Sequence, residues 1–300
     1  MRGHDSVDLG DQIARAAHQC RPAAWHETIQ TMCELLAISS QRPARLTFSL
    51  AALAAHAAAD GRSRDGWGAA FFQDRDVALF REPSAAGDSP LVRFLETHGP
   101  ATTLAISHIR RATRGATSLA NTQPFARQLA GRMHVFAHNG DLPGIEDCMP
   151  FATDRYRPLG GTDSEHAYCA LLERIHELWG SSDLIPPLDK RIAVVAKFAA
   201  ALRGLGPANF LYADGDTLFA HGHRRIQASG QVLPPGLFLL ARRCAHADEA
   251  VHANGVSVAP GFQQVLLIAS VPLTDEKWQP LSEGELVAVS AGRLVGTNRA

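Results

Sequence analysis

The 300-residue sequence lacks the features that define several large protein classes. Lys and Arg number 29 against 30 Asp and Glu, so there is no basic excess to attract nucleic acid or an anionic membrane. No apolar run approaches the ~20 residues that a membrane-spanning helix needs. The GxGxxG, P-loop and HExxH motifs do not occur. We therefore expect no nucleic-acid or membrane partner, no nucleotide or other cofactor, and no metal.

Cysteine is also scarce. Five cysteines stand at positions 20, 33, 148, 169 and 244, an odd number without a CxxC pair. This pattern argues against a disulfide framework or a zinc cluster and favours a reducing, cytoplasmic location. The remaining composition, 46% hydrophobic and 20% charged, is typical of a soluble globular protein.

One of these cysteines, Cys33, follows Met32 and precedes an apolar run typical of a β-strand. If Cys33 becomes the first residue of the mature chain, its thiol lies beside its own free α-amine. Such an amine has a pKa of roughly 7.7–8.0 and can act as the general base for the thiol without a histidine. The alternative, from this position alone, is a small buried residue in a strand.

Residues 1–32 differ from the rest of the chain. They lack the apolar region and the cleavage site of a secretory signal. Residues 11–20 are compatible with a short helix, which Arg21 and Pro22 interrupt. We interpret residues 1–32 as a propeptide or as an upstream extension, and favour the extension because Met32-Cys33 is itself a plausible start. Residues 33–300 are predicted to form a single domain.

The predicted strands and helices come in blocks and do not alternate strictly. Blocks of this kind favour antiparallel sheets layered with helices, and hence an α+β domain. Helices are predicted at 44–59, 89–98, 162–179 and 190–203. Strands are predicted at 34–39, 67–73, 77–81, 102–109, 133–137, 209–213, 217–221, 237–242, 263–271 and 285–290, with a last short strand near 293.

Two polar motifs directly follow predicted strands. Arg110 comes after the strand at 102–109, and its planar guanidinium can hold a substrate carboxylate through two hydrogen bonds. Solvated surface arginines are the alternative. Asn139 and the N–H of Gly140 supply two donors, the composition of an oxyanion hole, although Asn-Gly also suits a hairpin turn.

A third polar motif opens the predicted helix at 162–179. Thr162 and Glu165 have the spacing of a capping box, and an acidic residue in the first turn complements the helix dipole. Asp163 is therefore explained by the helix alone. It can also accept a substrate ammonium group, with two preceding glycines that allow close approach.

Taken in order, these and further motifs resemble the class II glutamine amidotransferases, which are N-terminal-nucleophile hydrolases. The resemblance is greatest to the short, stand-alone YafJ-like members, which carry no synthase domain. Gln123 stands where many relatives have histidine, which weakens the case for a polar role there. The motifs are Met-Cys-Glu-Leu-Leu at 32–36, Arg-Asp-Gly-Trp-Gly at 64–68, His-Ile-Arg at 108–110, Asn-Thr-Gln-Pro-Phe at 121–125, His-Asn-Gly at 138–140 and Gly-Thr-Asp-Ser-Glu at 161–165.

This resemblance implies a four-layer αββα fold and hydrolysis of the glutamine side-chain amide through a γ-glutamyl thioester. It implies that Cys33 is the nucleophile, and that Asn139 and Gly140 form the oxyanion hole. While residues precede Cys33 its nitrogen is an amide, so the full-length chain should be inactive. The residues implied to hold the amino-acid end of glutamine are Arg110, Thr113 and Asp163.

Two alternatives to glutamine hydrolysis stay open. A sister group of the family hydrolyses γ-glutamyl amides, so the substrate can be a larger γ-glutamyl conjugate. If the N-terminus stays blocked, the chain is a non-catalytic glutamine-binding module. Because the chain contains no second catalytic domain, a separate synthase partner would be needed to consume the released ammonia.

Overall fold

A computed structural model describes residues 33–45, 65–111, 116–180, 184–227, 229–244, 251–253, 256–258 and 263–299. Within these residues the chain forms two large antiparallel sheets and three α-helices, α1 (Pro90–His98), α2 (Asp163–Trp179) and α3 (Leu188–Arg203). Short 3₁₀ helices lie at Ala86–Asp88, Leu119–Asn121, Ile145–Asp147 and Met149–Phe151.

The strands vary from two to twelve residues. In chain order they are β1 (Glu34–Arg45), β2 (Trp67–Gln73), β3 (Asp76–Glu82), β4 (Ala101–Ile109), β5 (Phe125–Leu129), β6 (Arg132–Gly140), β7 (Ala208–Ala213), β8 (Leu218–Gly222), β9 (Arg225–Ile226), β10 (Val232–Leu233), β11 (Phe238–Cys244), β12 (Val251–Ala253), β13 (Val256–Val258), β14 (Gln263–Ala269), β15 (Gln279–Pro280), β16 (Glu285–Ser290) and β17 (Arg293–Arg299).

The first sheet has the order β15-β11-β14-β1-β4-β2-β3, and the second has the order β17-β16-β8-β7-β6-β5. β1 is central in the first sheet, where Leu36 lies opposite Ala269 of β14 and Ser107 of β4. Pairs β9-β10 and β12-β13 form two small separate ribbons. The residue before β1, Cys33, is therefore held at the end of a central strand.

An apolar core fills the space between the two sheets. Along β1, Leu35 and Ala37 pack in this core, while Leu36 and Ile38 pack in a second core on the outer face of the first sheet. Successive side chains of a strand point to opposite faces, so a strand covered on both faces must be apolar throughout. That requirement explains the apolar run at residues 35–38.

Helices cover the outer faces of both sheets. Val92 and Leu95 of α1 contribute to the core outside the first sheet. The helices α2 and α3 pack on the second sheet around buried aromatic residues, among them Phe136 and Phe210. The order of layers is helix, sheet, sheet, helix, and the predicted α+β four-layer sandwich is confirmed.

The largest differences from the predicted boundaries lie at the end of β1 and in β6. The predicted helix at 44–59 is wrong at its start, because Ala44 and Arg45 end β1 and pair with Thr102 and Ala101. Residues 46–59 lie outside the described part. The strand predicted at 133–137 continues as β6 through Asn139 and Gly140, which pair with β7. The hairpin interpretation of Asn-Gly is therefore wrong. Strand β5 was not predicted.

The capping box of α2 is realised in part. Thr162 Oγ1 accepts a hydrogen bond from the N–H of Glu165 at 3.2 Å, as the spacing predicts. The Glu165 carboxylate does not return to Thr162: it accepts from the N–H of Gly160 at 2.7 Å and forms an ion pair with Arg127. Glu165 thus joins the loop before α2 to strand β5.

The cysteines differ from expectation at one position. Cys33 and Cys169 are free thiols, whereas Cys148 is disulfide-bonded. The sequence argues against a disulfide framework, yet Cys148 takes part in a disulfide bond. The reducing, cytoplasmic location stays a prediction. Among the described helices, none has the length and hydropathy to cross a membrane.

Candidate active site

The thiol of Cys33 is held against the segment that follows β4. Cys33 is partly buried, and its Sγ accepts a hydrogen bond from the N–H of Arg111 at 3.2 Å and donates to the Arg111 carbonyl at 3.3 Å. Within the described part of the chain Sγ has no other hydrogen-bond partner. No described histidine is therefore in position to take its proton directly.

Burial raises the pKa of the Cys33 thiol to about 11. The Arg111 N–H and the charge of Arg110 lower this pKa, while Glu34 and Asp163 raise it by smaller amounts than burial does. The thiol is consequently protonated near neutral pH, and a base would have to remove its proton before the sulfur could react. Arg110 directly precedes Arg111, whose backbone bonds the thiol, and so lies near Cys33.

Asn139 approaches Cys33 from the opposite sheet. It lies at the end of β6, with its side chain pointing toward the first sheet, and its Nδ2 donates a hydrogen bond to the Cys33 carbonyl. The second contact of Nδ2 is long, 3.5 Å to Ser270 Oγ. An amide donor from one sheet thus lies beside the thiol-bearing residue of the other.

Gly140 lies where no side chain fits. A Cβ atom at this position would be 1.8 Å from the carbonyl oxygen of Pro207, a backbone atom that cannot move aside cheaply. Gly140 pairs with Ala208 of β7, so the close approach is a property of the sheet. This packing explains why glycine follows Asn139.

Arg110 is not a solvated surface arginine. Its residue is 3% exposed, its N–H donates to the Gly66 carbonyl at 2.8 Å, and Nη1 lies 3.3 Å from the carbonyls of Asp65 and Ala116. These bonds fix the guanidinium in the protein, so the surface interpretation is wrong. Thr113, predicted to act with it, lies outside the described residues.

The carboxylate of Asp163 is oriented by two backbone N–H groups. Oδ2 accepts from Leu142 at 2.8 Å and Oδ1 accepts from Ser164 at 2.8 Å. The Ser164 hydroxyl also bonds Nδ1 of His138, the residue before Asn139. The start of α2 is therefore tied to the end of β6 beside the thiol.

The two histidines of this region are neutral near pH 7. Burial lowers the pKa of His108 to about 3, with smaller contributions from the charges of Arg110 and His138. Burial likewise lowers the pKa of His138, against the raising effect of Asp163. Histidines with depressed pKa values are weak bases, so neither suits the role of general base.

The role of Gln123 was not predicted. Its Oε1 accepts from the N–H of His138 at 2.6 Å, and its Nε2 donates to the His138 carbonyl at 3.1 Å. Since Phe125 pairs with Phe136, position 123 lies opposite His138 in the continued register. The side-chain amide thus extends the ladder past Pro124, which has no N–H. A glutamine before proline at a strand edge is the signal that would have indicated this.

Replacing Gln123 with alanine is expected to lower the free energy of unfolding by about 1–3 kcal/mol. The change leaves the buried N–H and C=O of His138 without their partners, and each such group costs free energy. Urea unfolding measures the effect. Gln128→Ala, at an exposed position of the neighbouring β5, is the control and should change stability by less than about 0.5 kcal/mol. Equal effects of the two changes would contradict the assignment.

Comparison with known proteins decides the family. The model for "Glutamine amidotransferases class-II" matches residues 32–300. This chain belongs to that family. YafJ of Escherichia coli (strain K12) is 32% identical to it over 259 residues, which cover 85% of this chain and 96% of YafJ. A Haemophilus influenzae protein is 29% identical over 269 residues, covering 89% of this chain and 87% of that protein.

Solved structures agree with this class II glutamine amidotransferase fold. The crystal structure of a predicted glutamine amidotransferase from Pseudomonas aeruginosa has 28% sequence identity and a TM-score of 0.64, covering 88% of this chain and 100% of that one. A glutamine phosphoribosylpyrophosphate amidotransferase from Bacillus subtilis has 14% identity and a TM-score of 0.54. The match covers 89% of this chain and 49% of the Bacillus subtilis chain, and it shows a likeness of fold alone.

The structure of this class II glutamine amidotransferase brings the described candidate residues to one place. Cys33 comes from the first sheet, Asn139 and Gly140 from the second, Arg110 from the segment after β4 and Asp163 from the start of α2. Each is positioned by hydrogen bonds or backbone contacts that the sequence alone did not reveal. In the described residues no cluster of three or more His, Cys, Asp or Glu side chains forms a metal site.

Proposed function

We propose that this chain hydrolyses the side-chain amide of glutamine to glutamate and ammonia, with Cys33 as the nucleophile. The observation that carries the proposal is the Asn139 amide, which reaches the Cys33 residue from the opposite sheet beside the charges of Arg110 and Asp163. The chemistry of an amino-acid amide requires a thiol to attack the carbonyl carbon and a neutral donor to stabilise the oxyanion. It also suits a cationic group for the α-carboxylate and an anionic group for the α-ammonium end.

The first half-reaction forms a thioester. When Cys33 is the first residue, its α-amine takes the thiol proton and the sulfur attacks the side-chain carbonyl carbon of glutamine. The carbonyl oxygen gains negative charge, which the Asn139 Nδ2–H and the Gly140 N–H stabilise. The C–N bond then breaks, and the protonated α-amine returns its proton to the departing nitrogen, which leaves as ammonia.

The second half-reaction consumes one water molecule. The α-amine takes a proton from water, and the hydroxide attacks the γ-glutamyl thioester. The C–S bond then breaks, and the protonated α-amine returns its proton to the sulfur, which gives glutamate and the regenerated thiol. Throughout, the guanidinium of Arg110 holds the substrate α-carboxylate, and Asp163 and Thr113 hold its α-ammonium end. The ammonia passes to a separate synthase or leaves the enzyme.

The test combines intact mass, turnover and covalent trapping on one sample. Protein whose chain begins at Cys33 is expected to release glutamate and to be labelled at Cys33 by a glutamine-mimicking electrophile. A stable chain beginning at Met1 that binds glutamine without turnover would support the binding-module alternative and overturn the proposal.

The same protein distinguishes free glutamine from larger conjugates. We expect kcat/KM for glutamine to exceed that for a γ-glutamyl dipeptide by at least about tenfold, a difference of roughly 1.4 kcal/mol in transition-state stabilisation. Glutamate release measured with both substrates checks this. A tenfold preference for the dipeptide would identify a γ-glutamyl amide hydrolase.

A further inference from the structure

A buried ion pair involves Glu34, the residue that follows Cys33 in the chain. Glu34 Oε1 is 3.0 Å from Nη2 of Arg225, and their side chains are 5% and 9% exposed. Glu34 begins β1 of the first sheet, whereas Arg225 lies in β9, just after β8 of the second sheet. Removing two charges from water is unfavourable, so a buried pair contributes little to stability compared with apolar packing. Its position beside the nucleophile points to another role.

The other end of the Arg225 guanidinium is bonded to Ser270. Nη1 donates to the Ser270 carbonyl. Ser270 in turn donates its N–H to the Leu35 carbonyl at 3.0 Å and accepts from the Leu35 N–H through Oγ at 3.0 Å. Arg225 therefore fixes the serine that holds both backbone groups of Leu35, two residues beyond Cys33.

The segment carrying Arg225 is also connected to Asn139. Asn209, buried in β7, donates from Nδ2 to the Asn139 carbonyl at 3.1 Å and to the Arg224 carbonyl at 2.7 Å. The Nδ2 of Asn139 bonds the Cys33 carbonyl and lies 3.5 Å from Ser270 Oγ. Together with the intervening backbone, these hydrogen bonds form a closed ring that crosses both sheets. In this ring the Arg225 side chain connects the segment after β8 to the start of β1.

We propose that Arg225 is a positioning residue for amide hydrolysis, which holds the start of β1 against Asn139 so that thiol and oxyanion donor face the same substrate carbonyl. The proposal rests on the proposed function. A guanidinium suits this task because its two Nη groups bond acceptors on two different elements, Glu34 and the Ser270 carbonyl. A displacement of a reacting group by ~1 Å can cost about 10² in rate.

The expected signature is a loss in kcat with little change in KM. Arg225→Gln should lower kcat for glutamine by about 10–100-fold and change KM by less than about threefold. Arg225→Lys keeps the charge but not the two-point geometry, and should recover folding and less than about a third of the lost kcat. Full recovery by lysine would mean that only the charge matters, and would overturn the proposal.

A second buried pair provides the matched control. Arg191 of α3 bonds Asp214 at 2.8 Å, with side chains 7% and 1% exposed, and neither residue is part of the ring around Cys33. Arg191→Gln should lower the melting temperature as much as Arg225→Gln but leave kcat within about twofold of wild type. If the two variants lose kcat equally, Arg225 has only a structural role and the proposal is wrong.

Hydrogen–deuterium exchange of the full chain tests the positioning without turnover. Arg225→Gln should accelerate exchange of the Leu35 amide, read in the peptide 33–40, at least about tenfold, and Arg191→Gln should not. Unchanged exchange in the Arg225 variant would overturn the proposal. If wild-type protein releases no glutamate, the proposed function fails, and the exchange result still decides whether Arg225 holds β1.

Discussion

A chain that retains residues before Cys33 is expected to release glutamate about 10²–10⁴-fold more slowly than a chain that begins at Cys33. In the longer chain the Cys33 nitrogen is an amide and cannot act as a base. Burial meanwhile raises the pKa of the thiol to about 11. At pH 7.5 the thiolate is then on the order of one molecule in 10³–10⁴. The thiol has neither a base nor intrinsic acidity to make it reactive.

The sign of the pH dependence follows from the raised thiol pKa. In the longer chain, alkylation of Cys33 by iodoacetamide should keep increasing as the pH rises toward about 11, since only the thiolate reacts. Expression from Met32, checked by intact mass, supplies the short chain, and Cys33→Ala in that chain is the inactive control. Equal glutamate release by the long and short chains would exclude the α-amine as the base.

Asn139→Ala is expected to lower kcat by about 10²–10³, or roughly 2.7–4 kcal/mol of transition-state stabilisation. The loss should appear in kcat more than in KM, because the oxygen carries its negative charge only after attack. Steady-state glutamate release at saturating glutamine measures it. The melting temperature of the variant must be followed, because the same amide also bonds the Cys33 carbonyl.

An asparagine far from the thiol provides the comparison for Asn139. Asn298 lies in β17, at the edge of the second sheet, and Asn298→Ala should leave kcat within about twofold of wild type. If Asn139→Ala retains a third or more of wild-type kcat while folded, Asn139 does not stabilise the oxyanion.

Local sequence patterns predicted many elements well because local physics decides them. The strands Trp67–Gln73 and Glu285–Ser290 have the predicted bounds, because a short, nearly continuous apolar run is typical of a strand that is buried on both faces. Ser89 accepts from the Val92 N–H as the cap of α1, in agreement with the predicted start of that helix. These features depend on neighbours in the sequence.

Long-range pairing explains the failures. Alanine-rich sequence favours helix from Ala44 onward, but Ala44 and Arg45 find strand partners in Thr102 and Ala101 after an irregularity in β1 between Ser39 and Ala44. Tertiary pairing therefore overrides propensity at the end of β1. β6 similarly extends through Asn139 because β7 continues beside it, which no local turn rule anticipates.

The candidate site itself was predictable only as separate motifs. Residue chemistry suggested a role for Arg110, Asn139 and Asp163, and the family resemblance assigned those roles. Neither source indicated that Gln123 bonds the strand before Asn139, or that Arg225 and Ser270 lie behind Cys33. A hydrogen bond from a side chain to a distant part of the chain follows no regular spacing in the sequence, so only the three-dimensional structure reveals it.

The contacts of Asn139 also set how much of the chain must be synthesised before the candidate site can form. Its amide meets the Cys33 carbonyl across 106 residues and Ser270 across another 131. The chain must be synthesised as far as Ser270 before β14 can pair with β1 and Ser270 can bond Leu35. A nascent or truncated chain that ends before Ser270 therefore contains Cys33 but lacks the serine that bonds both backbone groups of Leu35. Because these contacts join residues 106 and 131 positions apart, the site depends on long-range pairing, and we expect it to form only when both sheets have assembled.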